Sequence, residues 1–166
     1  MAVQDVRNYL SQWGLEEKVM EMELSSATVE LAAEAVGVIP ARIAKTLSFK
    51  KDDSCLLVVT AGDAKIDNAR FKAKFGMKAK MLTPEEVMAL TGHPVGGVCP
   101  FALKEPGIQV FTDVSMKRFE TVYPACGSGN SAIELTCEQL YETAGSQEWV
   151  DICKGWQQEN EPLPLV

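Results

Sequence analysis

The sequence predicts a mixed α/β fold: a curved, barrel-like mixed sheet flanked by helices, in a single domain. Three observations lead there. Cys55-Leu56-Leu57-Val58-Val59-Thr60-Ala61 is a continuous apolar run, the pattern of a central strand covered on both faces. Ile43 to Phe49 alternates in character and is separated from that run by the turn Asp52-Asp53-Ser54, so the two strands read as a hairpin. Helical segments with clear stop signals are interspersed with strands, but without the strict alternation of a doubly wound sheet.

Taken in order, Val3, Val6, Leu10 and Trp13 recur at helical spacing, and Gly14 ends the pattern. Lys18 to Leu24 sets Val19, Glu21 and Glu23 against Met20, Met22 and Leu24 and reads as an exposed edge strand. Thr28 to Val36 is an Ala-rich helix with Gly37 at its stop. Pro40 breaks the chain before the hairpin, and Gly62-Asp63 closes it. Asp67 to Phe75 is a helix with Phe71 and Phe75 four apart and Gly76 after them. Thr83-Pro84-Glu85-Glu86 starts another: Thr83 caps, Pro84 fits the first helical position, Glu86 completes a capping box, and Gly92 stops it. Ile108 to Thr112 and Thr121 to Tyr123 alternate as strands. A Gly/Ser/Asn loop from Pro124 to Ser131 leads into a short strand, Ala132 to Leu135. Thr136 and Gln139 cap a helix ending at Gly145, and Trp149 to Ile152 reads as a last strand. The expected domain is 1–156. Residues 157–166, with Pro162 and Pro164, read as a frayed or loosely packed tail.

Composition narrows the function classes. A chain of 166 residues, 46% hydrophobic and 23% charged, is ordinary for a globular domain with one sizeable core. No apolar run approaches the length that crosses a bilayer. The first residues lack a basic region followed by an apolar stretch, so no secretory signal is expected and the cytoplasm is the default location. Five cysteines without a Cys-x-x-Cys pair, and one histidine, argue against a disulfide framework and against structural zinc. The net charge of −7 disfavours general nucleic-acid binding. One stretch departs from that balance: Lys65, Arg70, Lys72, Lys74, Lys78 and Lys80 stand against the single acid Asp67. It reads either as a solvated helix face or as a local contact for a phosphate backbone.

The chemistry-bearing residues are few. No Gly-x-Ser-x-Gly, P-loop or Gly-x-Gly-x-x-Gly motif is present. In Ile43-Ala44-Lys45-Thr46-Leu47-Ser48-Phe49, alternation puts Lys45 in line with Ile43, Leu47 and Phe49. An amine so placed either snorkels out of the core or serves a site, since a half-buried ammonium needs a partner. Gly96-Gly97-Val98-Cys99-Pro100 is a loop able to bring backbone N–H groups close to a ligand. Together they suggest a pocket for a small, polar, anionic or ester-like group. Gly127-Ser128-Gly129-Asn130-Ser131 is either an ordinary turn or the far wall of that pocket. His93 reads as a loop residue near a helix end. Cys99 reads as a small pocket-lining residue, because nothing in its surroundings marks a lowered thiol pKa. The other four cysteines read as core.

Ile43-Ala44-Lys45-Thr46-Leu47, Ala61-Gly62-Asp63, Gly96-Gly97-Val98-Cys99-Pro100-Phe101 and the late glycine loop running into Ile133-Glu134-Leu135 resemble, as an ordered set, the YbaK/EbsC family. These are the free-standing relatives of the editing domain inserted in bacterial prolyl-tRNA synthetases. The resemblance covers about residues 1–153 and implies a mixed barrel-like sheet with helices. It implies trans-editing, the hydrolysis of an ester joining a small amino acid (Cys, Ala or similar) to the acceptor end of tRNA, that of proline first. No cofactor or metal is implied. The implied partners are aminoacyl-tRNA and a prolyl-tRNA synthetase, with no membrane. The family's essential lysine falls on Lys45, and its Gly-x-x-x-Pro loop on Gly96 to Pro100. Thr46, Gly96, Gly97, Val98, Cys99, Pro100, Gly127, Ser128 and Asn130 fall at substrate-binding positions. Some members carry a histidine, an acid or a hydroxyl in the late loop. This chain offers Ser128, Asn130 and Ser131 there, with no His or Asp.

For such an ester the expected chemistry is orientation and charge stabilisation. N–H groups of Gly97, Val98 and Cys99 would meet the carbonyl oxygen, with Lys45 holding the terminal ribose or phosphate or orienting the amine-bearing end. Water, or a substrate thiol, would attack. Two rivals remain at this stage: a non-catalytic module binding a tRNA end or a synthetase, and a thiol hydrolase using Cys99 with His93.

Overall fold

The described residues, 2–157 of a computed structural model, form in chain order α1 (Ala2–Leu10), β1 (Met20–Glu21), α2 (Val29–Val36), β2 (Ile43–Lys51), β3 (Ser54–Ala61), β4 (Lys65–Ile66), α3 (Asn68–Phe75) and α4 (Pro84–Thr91). Then come β5 (Gln109–Asp113), β6 (Thr121–Pro124), β7 (Ser131–Ala132), β8 (Leu135–Thr136), α5 (Cys137–Ala144), β9 (Ser146–Val150) and β10 (Cys153–Lys154). The principal sheet has six strands in the order β8-β6-β2-β3-β5-β9. The predicted hairpin is present: β2 and β3 run antiparallel with Lys45 opposite Thr60 and Thr46 opposite Val59. β6 joins β2, β5 joins β3 and β9 joins β5 in parallel, while β8 is antiparallel to β6. The sheet is therefore mixed, as expected.

β3 occupies the interior, and every residue from Cys55 to Ala61 is buried, which is why its sequence lacks alternation. α3 lays Phe71 against Phe49 and Phe75 against Phe111, with ring centroids 4.7 and 4.9 Å apart. α2 makes a smaller cluster in which Ala32 and Ala33 pack against Ile43. The helix starts follow the sequence signals. Thr83 and Thr136 each form a reciprocal capping box, with Glu86 and Gln139, and Asp67 accepts from the N–H groups of Ala69 and Arg70, so otherwise orphaned donors are paired.

Three expectations about local structure change. The edge strand over 18–24 shrinks to β1, because Glu16–Lys18 wind into a 3-10 turn. Beyond it the chain follows the late glycine loop instead, through Met22 N–H to the Asn130 carbonyl at 2.7 Å and Ser26 N–H to the Gly129 carbonyl at 2.6 Å. The short strand over 132–135 is two pieces, β7 and β8, which pair with β1 and β6 respectively. The expected strand at 149–152 begins earlier, at Ser146, directly after the Gly145 stop, and ends at Val150, with Asp151 and Ile152 separating it from β10. Of the expected tail 157–166, only Gln157 lies within the described residues.

Candidate active site

β2 carries Lys45 and Thr46 side by side. The Lys45 side chain is half-buried, and its Nζ donates to the Gly62 carbonyl at 3.3 Å, in the turn that leaves β3. Burial pushes its pKa below the usual lysine range, a shift opposed by, among others, the nearby carboxylates Asp63 and Glu30. Asp63 is held in turn by Arg118, whose guanidinium donates to both carboxylate oxygens at 3.0 and 2.5 Å and to the Ser115 carbonyl at 2.8 Å. Arg118 lies over the Trp156 and Phe119 rings, 5.0 and 4.9 Å from their centroids. A two-pronged ion pair against aromatic faces has little freedom, so the turn presenting the Gly62 carbonyl to Lys45 is fixed. In the sequence Ala61-Gly62-Asp63 is legible only as a motif. The Asp63–Arg118 pair, 55 positions apart, had no sequence signal.

The two glycine loops meet backbone to backbone. A Cβ on Gly97 would lie 2.5 Å from the Ser128 nitrogen and 2.7 Å from the Gly127 carbonyl carbon, and Gly127 N–H donates to the Gly97 carbonyl at 3.0 Å. Gly96 has φ +94° and stands against Ala27, a conformation and a closeness that favour glycine. Gly97 N–H is already spent on the Pro94 carbonyl at 2.9 Å, which removes it from the three expected carbonyl donors. The N–H groups of Val98 and Cys99 meet no acceptor among the described residues.

Lys45 and this loop share one cleft of about 360 Å³. Its lining takes Ile43, Ala44, Lys45, Thr46 and Ser48 from β2, and residues 26–29 and Ala32 at the start of α2. Met81, Leu82, Pro84, Val87, Val95, Gly96 and Val98 form another side, and Tyr123, Ala125, Ser131 and Ala132 complete it. The Thr46 and Ser26 hydroxyls are buried without a partner among the described residues. Such groups cost free energy until something pairs with them. Of the predicted residues the cleft thus gathers Lys45, Thr46, Gly96 and Val98. Gly97, Cys99, Pro100, Gly127, Ser128 and Asn130 do not line it. Gly97 and Gly127 are consumed by the loop–loop contact, and Ser128 and Asn130 tie the late loop together, with Ser128 Oγ donating to Asn130 Oδ1 at 2.8 Å and Asn130 Nδ2 to the Met22 carbonyl at 3.0 Å. Ser131 faces the cleft in their place. Ser26, Thr28, Val29 and Tyr123 were missed, since tertiary packing alone brings them here.

Cys99 is not a pocket-lining side chain. It is wholly buried, and desolvation pushes its thiol up to about 12. His93, also buried, has Nε2 at 2.7 Å from the Phe101 carbonyl. A carbonyl only accepts, so Nε2 carries the proton and cannot take one from Cys99 Sγ, 3.5 Å away. Nδ1 is left buried without a partner among the described residues, and burial lowers the ring's pKa. This pair does not make a nucleophile. Cys99→Ala is expected to leave turnover of an ester substrate within a few-fold of the parent protein, and Cys99 in the folded protein to resist thiol alkylation. Turnover lost with Cys99→Ala while the melting curve is unchanged would restore the thiol to the reaction.

Residues 24–143 match the family model of the aminoacyl-tRNA editing domain, and the chain belongs to that family. A Bacillus subtilis (strain 168) protein described as the uncharacterized protein YwhH is 54% identical over 158 residues, 95% of this chain and 100% of that one. The proline–tRNA ligase of Thermotoga sp. (strain RQ2) is 34% identical over 77 residues, 46% of this chain. That match spans 13% of the ligase's length, so the likeness is to one part of it. Among solved structures, a candidate trans-editing enzyme for prolyl tRNA synthetase superposes with a TM-score of 0.83 at 28% identity, over 93% of this chain and 98% of that one.

Proposed function

We propose that this chain is a trans-editing deacylase that hydrolyses the ester of a small amino acid, Cys, Ala or similar, mischarged on tRNA for proline. The supporting observation is the placement of a half-buried ammonium, unpartnered hydroxyls and a glycine turn with the free Val98 N–H on one small cleft.

The cleft stabilises charge rather than supplying a base. Its ionisable lining residues are Lys45 and Tyr123, and burial raises the Tyr123 pKa, so neither takes a proton from water at neutral pH while Lys45 is charged. An aminoacyl ester is already activated, and orientation with preorganised donors lowers its barrier. The Val98 N–H, unpaired and on the cleft lining, receives the carbonyl oxygen as it gains charge. Lys45, steadied on Gly62, holds the ribose or phosphate of the terminal nucleotide or orients the amine-bearing end. Water attacks, or the substrate's own thiol when the amino acid is Cys. The proton goes to solvent or to the departing ribose oxygen. The mostly apolar lining suits a short side chain, although one methylene is worth only about 1–3 kcal/mol of discrimination.

A panel of mischarged tRNAs tests this reading. Release of Cys or Ala from tRNA for proline at many turnovers per protein, with cognate prolyl-tRNA spared, is expected. Stoichiometric binding without turnover would leave a non-catalytic tRNA-end or synthetase-binding module, and equal hydrolysis of cognate prolyl-tRNA would contradict an editing role.

A further inference from the structure

The cations of residues 65–80 are unevenly used. Arg70 pairs with Asp151 at 3.0 Å and Lys74 with Glu148 at 2.7 Å. Lys72, Lys78 and Lys80 are exposed and meet no carboxylate at ion-pair distance among the described residues. In a chain of net charge −7, such a local excess of unpaired cations stands out as a site of positive potential.

Their position gives that potential a direction. Residues 80–82 run antiparallel along the far end of β2: Lys50 N–H donates to the Lys80 carbonyl at 2.7 Å, Phe49 bridges Met81, and Leu82 N–H donates to the Ser48 carbonyl at 3.3 Å. Met81 and Leu82 then line the cleft, and Met81 is 57% exposed. Lys80 thus stands next to Met81 in sequence and beside Lys50 across the pairing, and Lys78 is three residues back, at most about 10 Å of extended chain. Lys50 makes only an exposed pair with Glu86, at 3.1 Å, which a stronger anion displaces at little cost.

We propose that Lys78 and Lys80, with Lys50 beside them, form a track for the sugar–phosphate backbone of the RNA strand whose 3′ end enters the cleft at Met81. The inference rests on the deacylase reading above, since an ester carried at the end of a polyanion must bring phosphates past this rim. The short distance to Met81 assigns the track to the unpaired terminal nucleotides and the first base pairs. An acidic protein partner is the competing occupant.

The test is a Lys78→Glu, Lys80→Glu double variant, compared with a charge-matched Lys18→Glu, Lys104→Glu control outside the stretch. Uncharged tRNA is titrated against each protein over a range of salt, and deacylation is followed on mischarged tRNA and on 3′-aminoacyl-adenosine, which has no internucleotide phosphate. The track predicts that the double variant binds tRNA about tenfold or more weakly, with a log–log salt slope flatter by about 1.5. KM for mischarged tRNA should rise with kcat unchanged, and 3′-aminoacyl-adenosine should be hydrolysed as by the parent protein. The control should stay within about twofold. Parent-like affinity and slope in the double variant, an equal loss in the control, or an equal loss on 3′-aminoacyl-adenosine would overturn the track, as would lost binding of a synthetase with tRNA binding intact. A parent protein that binds tRNA through Lys78 and Lys80 but hydrolyses neither ester would uphold the track and remove the deacylase reading instead.

Discussion

Lys45→Ala is expected to lower deacylation of mischarged tRNA by a factor on the order of 10² to 10³, the scale for removing one preorganised charge-stabilising group. The fold should survive. The ammonium is half-buried and burial depresses its pKa, so in the folded protein the charge is less favourable than in the unfolded chain. That cost is fully present below the folded pKa and fades as pH rises through it towards the unfolded value. Lys45→Met, which keeps the stem and removes the charge, should therefore melt at or above the parent temperature while remaining inactive. The same shift predicts an alkaline limb for the parent protein. Blank-corrected turnover should decline at a pH below the usual lysine range, as the ammonium loses its proton. Near-normal turnover in either variant, with folding intact, would take Lys45 out of the mechanism.

Gly97→Ala is expected to damage structure and activity together. The added Cβ would fall 2.5 Å from the Ser128 nitrogen and 2.7 Å from the Gly127 carbonyl carbon. Backbone cannot step aside as a flexible side chain does, so the two loops must separate. Overpacking of this kind costs about 1–3 kcal/mol, a loss of about 2–12 °C in Tm for a chain of this size. Because Val98 follows directly, its N–H, the donor proposed for the substrate carbonyl, moves as well, and kcat should fall by more than the unfolded fraction explains. Thermal melting with turnover measured well below Tm separates the two effects. An unchanged Tm would mean that the loops are not in contact as described.

The architecture was legible where one residue pattern answers to one physical cause. The apolar run 55–61 marks burial on both faces, the capping boxes at Thr83 and Thr136 mark helix starts, and Asp52-Asp53 marks the hairpin turn. The edge strand was not, because an alternating pattern over 18–24 states what the side chains prefer but not which backbone is near enough to pair. Within the site, Lys45 and Gly96 were legible for opposite reasons: one is a charge among apolar neighbours, the other a backbone conformation open to glycine. Cys99 misled because its place in the glycine loop says nothing about which way its side chain turns. Burial behind the loop beside His93 settles that. The Asp63–Arg118 pair and the wall at residues 26–29 arise from chain segments far apart in sequence, so no local pattern announces them.

The parallel pairings of β5, with β3 and with β9, bear on how the molecule is made. Leu56 must find Gln109, and Val110 must find Ser146, so the central strand waits for chain that is synthesised some fifty residues later, and its neighbour β5 for α5 and β9. Contacts this distant pay loop-closure entropy before they return any stability. A nascent chain halted before residue 146 leaves the β5 edge unpaired and apolar, the state in which such sheets aggregate.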